Sequence, residues 1–219
     1  MKNVVIDKAL KEKVPDYACV VLSFKMEVVA SSDRLKNEMA SLAREIETSL
    51  TLESLLKVPR IHAARTGYKA LGKDPSRYRL ATESLLRRLI KGNGLYYVNN
   101  AVDIGNVLSV KTRRSVAVLD EGKIKGDVLI RIGDDGPYEG IGRGLINVEN
   151  IPVYCDDIGP FGSPTSDTMR TAIQMETSDI LLFIMSFDGV DGLVEDLELA
   201  KKLFQDFAGV KCFEWQIVE

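Results

Sequence analysis

Strand-like segments crowd the middle of this chain and helical segments flank them, an order that restricts the folds open to it. Tyr17–Ala30 (YACVVLSFKMEVVA) is β-branched and apolar and is predicted as a strand. Ser31, Ser32 and Asp33 then offer N-cap oxygens. Leu35, Met39, Leu42, Ile46 and Leu50 recur at helical spacing, which predicts an amphipathic helix over Asp33–Leu50. Pro59 marks a break, and Ile61–Lys69 reads as a short helix. Gly72-Lys73-Asp74-Pro75 is a turn signal, and Thr82–Lys91 is a helix ended by Gly92 and Gly94. From Tyr96 to Arg131 β-rich segments (YYV, VLSV, SVAVL, VLIRI) alternate with polar turns, and Gly133–Gly144 is a glycine-rich turn region. Leu145–Tyr154 and Ile180–Phe187 read as further strands. Asp191 is expected to cap a last helix through Ala208, with Glu198 and Lys202 paired along it and Gly209 stopping it. Phe213–Val218 reads as a closing strand. Regular β-α alternation is absent, so the expected class is α+β: a mixed, mostly antiparallel sheet flanked by helices.

The 219 residues show no repeats, low-complexity tracts or Pro/Ser-rich linkers, which favours a single domain. A net charge of −3 argues against nucleic-acid binding by bulk attraction, while leaving room for a local basic patch. The longest apolar run, Ile180–Met185, is too short to span a bilayer. Charges interrupt the apolar N-terminal stretch, unlike a secretory leader. Cys19, Cys155 and Cys212 are odd in number and have no metal-ligand spacing, which suits buried thiols in a reducing cytoplasm. The expectation is therefore a cytoplasmic protein without metal or cofactor.

A single histidine, His62, leaves little material for Ser-His-Asp or multi-His chemistry; it is expected to pack or to face solvent. Gly140-Ile-Gly142-Arg-Gly144 lacks the spacing of a dinucleotide loop and is expected to be a hairpin or wide turn with glycines at positive φ. Arg77, Arg79, Arg87, Arg88, Lys91, Arg113 and Arg114 make the middle third basic, either as a solvated face or as a groove for phosphates. Asp103 and Asn106, read as a loop pair, either fix local turns or orient a water and donate to an oxyanion. Ser166, Asp167, Arg170 and Thr171 place donors, an acceptor and a cation within six residues, or simply form a turn and cap.

Asn99, Asn100, Val102, Asp103, Ile104, Asn106, Asp120 and Gly126 fall in register with a known pattern: paired asparagines, V-D-I-T-N, an apolar strand, G-Q-P-L-H-A-F-D and a K-x-x-G turn. The segment resembles the core of the B3/B4 domain of bacterial phenylalanyl-tRNA synthetase β chains, and no gap is needed between Asp103 and Asp120. The Gly159–Thr171 loop, Lys69–Arg79 and Glu83–Arg88 resemble stand-alone members of that family. The resemblance covers roughly Arg60–Phe187. It implies one B3/B4-like domain over 1–219, with a strand-helix layer at 1–59, the core at 60–187, and a final helix and strand at 188–219.

The resemblance further implies a trans-editing hydrolase that deacylates misacylated tRNA without aminoacylating it; the alternative is a non-catalytic module binding tRNA or an amino acid. In the first case Asp103, Asn106, Arg170 and Thr171 would be catalytic. Asn99, Gly105, Ala117, Asp157, Gly162, Asp167 and Phe183 would contact the substrate, Asp157 and Asp167 being alternative partners for its α-amine. Arg79, Arg87 and Arg88 would hold the phosphates of the tRNA acceptor end. The family's threonine, histidine and glutamate are replaced here by Gly105, Ala117 and Phe183. Phenylalanine cannot pair a phenol hydroxyl, so tyrosine is a poor substrate expectation.

Overall fold

A computed structural model describes residues 1–219. Strand β1 (Val4–Ile6) and helix α1 (Lys8–Lys13) come first. Strand β2 (Ala18–Lys25) leads into five helices: α2 (Asp33–Ser49), α3 (Leu52–Leu55), α4 (Pro59–Ala70), α5 (Ala81–Ile90) and α6 (Asn100–Thr112). Next come strands β3 (Val116–Asp120), β4 (Val128–Ile132), β5 (Glu139–Gly140), β6 (Gly144–Leu145), β7 (Pro152–Cys155), β8 (Pro160–Gly162) and β9 (Asp179–Ser186). Helix α7 (Leu193–Ala208) and strand β10 (Glu214–Val218) close the chain.

The strands form an antiparallel sheet of order β10-β2-β9-β3 and a mixed sheet of order β1-β4-β7-β8, in which only β1 and β4 run parallel. Because successive side chains of a strand point to opposite faces, the first sheet feeds two cores. Val20, Leu22, Leu182 and Ile184 join the helices in one. Cys19, Val21, Leu181 and Phe183 join the second sheet in the other. The molecule is thus helices, antiparallel sheet, second sheet: an α+β architecture. Burial on both faces explains why β9 is a continuous apolar run in sequence. No helix is long and apolar enough to cross a membrane.

Several local expectations are corrected. The VLSV segment lies inside helix α6, whose buried residues (among them Ala101, Ile104, Val107, Leu108 and Val110) surround it nearly on all sides and erase helical periodicity. Tyr96–Val98 is exposed and forms no strand. Of Leu145–Tyr154 only the ends belong to β6 and β7, and Asn150 between them is left-handed, with φ 61°. Gly192, with φ 76°, stands at the N-cap of α7 instead of Asp191. Glu198 pairs with Lys201 at 2.8 Å, and Lys202 turns to Asp206 at 3.5 Å. Gly142 and Gly144 have φ of 66° and 67° and shape the β5–β6 hairpin expected of that glycine-rich stretch.

Candidate functional site

The Asn99–Asn106 element begins a helix, which corrects its reading as a loop. Asn99 caps α6, its side chain accepting from the N–H of Val102 at 2.9 Å. The Asn100 side chain accepts from Val29 N–H and donates to Glu27 C=O, each at 3.0 Å, fixing the chain between β2 and α2. Asp103 is wholly buried. It accepts from the Ser31 hydroxyl at 2.6 Å and from Val98 N–H at 3.0 Å. Burial pushes its pKa up, and those two hydrogen bonds oppose the shift. Asp103 thus ties α6 to the entry of α2, whereas Asn106, one turn on and half-buried, reaches a surface cleft.

The residues expected to read substrate divide between the two faces of the antiparallel sheet. Gly105 lets α6 approach Val116 and Val118 of β3 on the helical side. Ala117 points to the other side and pairs in register with Phe183. Phe183 stacks on Tyr154 with centroids 4.9 Å apart and planes 7° from parallel. Tyr154 in turn pairs with Gly162, where a Cβ would lie 2.7 Å from the Tyr154 ring and 2.9 Å from an Asp167 oxygen. Ala117, Gly162, Asp167 and Phe183 are therefore brought together between the sheets, and Gly105 is not among them. Asp167 Oδ1 and the hydroxyls of Tyr17 and Tyr154 are buried there without hydrogen-bond partners. Desolvation pushes the Asp167 carboxyl up to about 7. Asp157, by contrast, is exposed and packs over Gly126.

Arg170 and Thr171 hold the loops of the second sheet. Arg170 grips Asp156 through two nitrogens, each at 2.9 Å, and Thr171 donates to the Phe161 carbonyl at 3.2 Å. Burial disfavours the Asp156 carboxylate, but the Arg170 pair and the N–H groups of Lys125, Gly159 and Ile158 outweigh it and hold its pKa below the ordinary value. These contacts lie across the antiparallel sheet from α6, so Asp103, Asn106, Arg170 and Thr171 do not share one site. No group of three or more His, Cys, Asp or Glu side chains is placed to hold a metal ion. His62 faces solvent.

The three arginines expected at phosphate do converge. Arg79, Ser84, Arg87, Arg88, Lys91 and Asn93 line a cleft of about 310 Å³ without an apolar side chain. Arg87 is held by Glu83 at 2.8 Å, and Glu83, itself fully buried, is also gripped by Arg65 at 2.9 Å. Arg88 lies over the Tyr96 ring, 3.7 Å from its centroid, and donates to the carbonyls of Asn93 and Gly94. An adjoining cavity of about 340 Å³ is lined by Ser84, Arg88, Tyr96, Asn106 and Arg143, among others. The β5–β6 hairpin delivers Arg143 to it. Preset guanidinium groups on rigid helical and hairpin elements suit phosphate or carboxylate oxygens.

The model of the B3/4 domain family matches residues 63–203. This chain belongs to the B3/4 domain family. Among solved structures, an N-terminal fragment of the phenylalanyl-tRNA synthetase β-subunit from Pyrococcus horikoshii is similar at 13% sequence identity and a TM-score of 0.48. The match covers 99% of this chain and 50% of that one, so this chain spans about half the length of that fragment. No curated protein sequence matches.

In this B3/4 domain protein, Tyr96, Tyr97, Asn93 and Arg143 escaped the sequence reading of the site. Tyr96 and Tyr97 passed for a strand because tyrosine and valine favour one. The signal against it was position: Gly94 ends one element and Asn99 caps the next, leaving little room for a strand between.

Proposed function

We propose that this B3/4 domain protein binds the acceptor end of tRNA, with the sugar-phosphate backbone in the cleft of Arg79, Arg87, Arg88 and Lys91. The observation that carries this reading is the convergence of four cations on one cleft without apolar lining, in a chain whose net charge is −3. Bulk attraction is absent, so a local cluster must select the polyanion. Tyr96 and Tyr97, each 58% exposed, stand beside it and offer rings to unpaired bases. Binding of deacylated tRNA, followed by fluorescence anisotropy across a salt series, tests the reading. Affinity that falls steeply with salt supports it, and absence of binding at low salt overturns it.

A second reading, trans-editing hydrolysis of a misacylated tRNA ester in the cytoplasm, is favoured by one observation: Asn106 lines a cavity together with Arg88 and Arg143. An aminoacyl ester is already activated, and an amide beside two guanidinium groups supplies donors to a developing oxyanion without a metal or cofactor. In this reading Asp103, Arg170 and Thr171 position the scaffold and do not touch the ester. The whole chain acts as one domain, since both sheets and the helices share cores. Single-turnover deacylation of tyrosyl, seryl, alanyl and small apolar aminoacyl-tRNAs tests it. Release from one or a few supports hydrolysis, and release from none, with tRNA bound, leaves the binding function alone.

A further inference from the structure

Beside the phosphate cleft lies a smaller cavity of about 220 Å³, between α2 and the segment that follows α5. Met39, Ala43, Leu89 and Leu95 give it an apolar floor, Tyr97 a wall, and Arg44 and Glu47 a charged rim. The two cavities share a stretch of chain. Lys91 and Asn93 line the phosphate cleft, while Gly92 and Gly94, alternating with them, line the apolar cavity. This alternation sets the cavities on two sides of one short segment. Gly92 and Gly94 have φ of 72° and 62°, and a Cβ on Gly92 would stand 3.0 Å from the Glu47 carboxylate. The ion pairs made by α2 are Lys36–Asp33 and Glu38–Lys111, which leave Arg44 and Glu47 outside them.

We infer that this cavity takes one unpaired nucleobase of the bound RNA, stacked on Tyr97, with Glu47 accepting a hydrogen bond from the base's exocyclic amine. The inference rests on the tRNA reading above and adds to it a base preference. The cavity is smaller than the roughly 300–1,000 Å³ of sites for drug-sized ligands, which fits a single planar ring. An apolar floor and an aromatic wall bind the faces of any base, so stacking alone is sequence-tolerant. The carboxylate breaks that tolerance. Adenine and cytosine carry an exocyclic amine that donates to it; uracil puts a carbonyl oxygen at the place of cytosine's amine, where two acceptors repel, and is left with only its ring N3–H to donate. Every base of a CCA end carries such an amine.

The experiment uses the full chain and three 5′-labelled probes: an RNA heptamer ending in CCA, a uridine heptamer, and a deacylated tRNA. Wild type is compared with Tyr97→Ala, Glu47→Gln and Lys91→Gln across a salt series. Tyr97 is exposed, so its substitution leaves the core intact, and thermal unfolding midpoints verify this. The expected result is preference for the CCA heptamer, a loss of roughly tenfold or more in its affinity on Tyr97→Ala with the salt slope unchanged, and loss of the preference on Glu47→Gln. Lys91→Gln reduces the salt slope and keeps the preference. Salt-dependent binding of all three probes that neither Tyr97→Ala nor Glu47→Gln alters overturns the base site and leaves the phosphate cleft standing. Failure of wild type to bind any probe overturns the tRNA reading, and the base site with it.

Discussion

Gly105 faces Val118 so closely that a Cβ placed on it would lie 2.4 Å from Val118 Cγ2. The contact sets how near α6 comes to the antiparallel sheet, and with it how deeply Asn106 on the same helix stands in the cleft. Gly105→Ala is expected to destabilise the protein by about 1–3 kcal/mol through overpacking. Adding Val118→Ala should recover much of that loss, because the added methyl takes the vacated space. Urea unfolding of the two single variants and the double variant measures the coupling; strict additivity would contradict the contact.

Glu83 carries more of the cleft's order than its distance from solvent suggests. It is buried and pairs with both Arg65 and Arg87. Glu83→Gln leaves two guanidinium groups without their shared anion and is expected to cost about 3 kcal/mol or more of stability. RNA affinity should fall as well, since Arg87 loses its anchor. Denaturation and anisotropy on the same preparation separate the two effects.

Arg79 and Lys91 are exposed, so their roles in folding and binding come apart. Arg79→Gln or Lys91→Gln is expected to leave stability within about 0.5 kcal/mol. Each should lower the slope of log affinity against log salt by about 0.7, the value for one contact to single-stranded nucleic acid. Binding isotherms at several salt concentrations give the slope directly.

Asp167 makes stability depend on pH. Its carboxyl, pushed up to about 7 by burial, binds protons more tightly folded than unfolded, where an aspartate titrates near about 3.9. Its favourable contribution is complete below the unfolded value and is lost as pH rises toward 7. Asp167→Asn removes the titration, so the stability difference between pH 5 and pH 8 should shrink by an amount on the order of a few kcal/mol. Urea titrations at the two pH values compare the variant with wild type; an unchanged difference would contradict the assignment.

Helices with one apolar stripe were legible from sequence: Leu35, Met39, Leu42 and Ile46 are the buried residues of α2. Helix α6 was hidden because it is buried nearly all round, and an apolar run without a polar face has no helical period to detect. The same stretch carries the family resemblance, because residue identities at Asn99, Asn100, Asp103 and Asn106 mark the family where periodicity does not reveal the helix. Arg79, Arg87 and Arg88 line one cleft; the sequence shows them only as part of a locally basic stretch, because their convergence depends on how the chain before α5 folds back beside that helix. The separation of Gly105 from Ala117 was invisible in the one-dimensional pattern, since it depends on which face of β3 meets α6.

Strand β2 completes the central sheet from outside the matched family segment. It lies between β9 and β10, pairs with all eight residues of β9, and falls outside the matched residues 63–203. A piece cut to the matched length would leave one long flank of β9 open and strip Val20 and Leu22 from one core and Cys19 and Val21 from the other. Such an unpaired flank invites edge-to-edge association. The matched segment of this chain is therefore not a transplantable module: moving it into another protein requires bringing along, or replacing, a strand encoded some forty residues upstream of it.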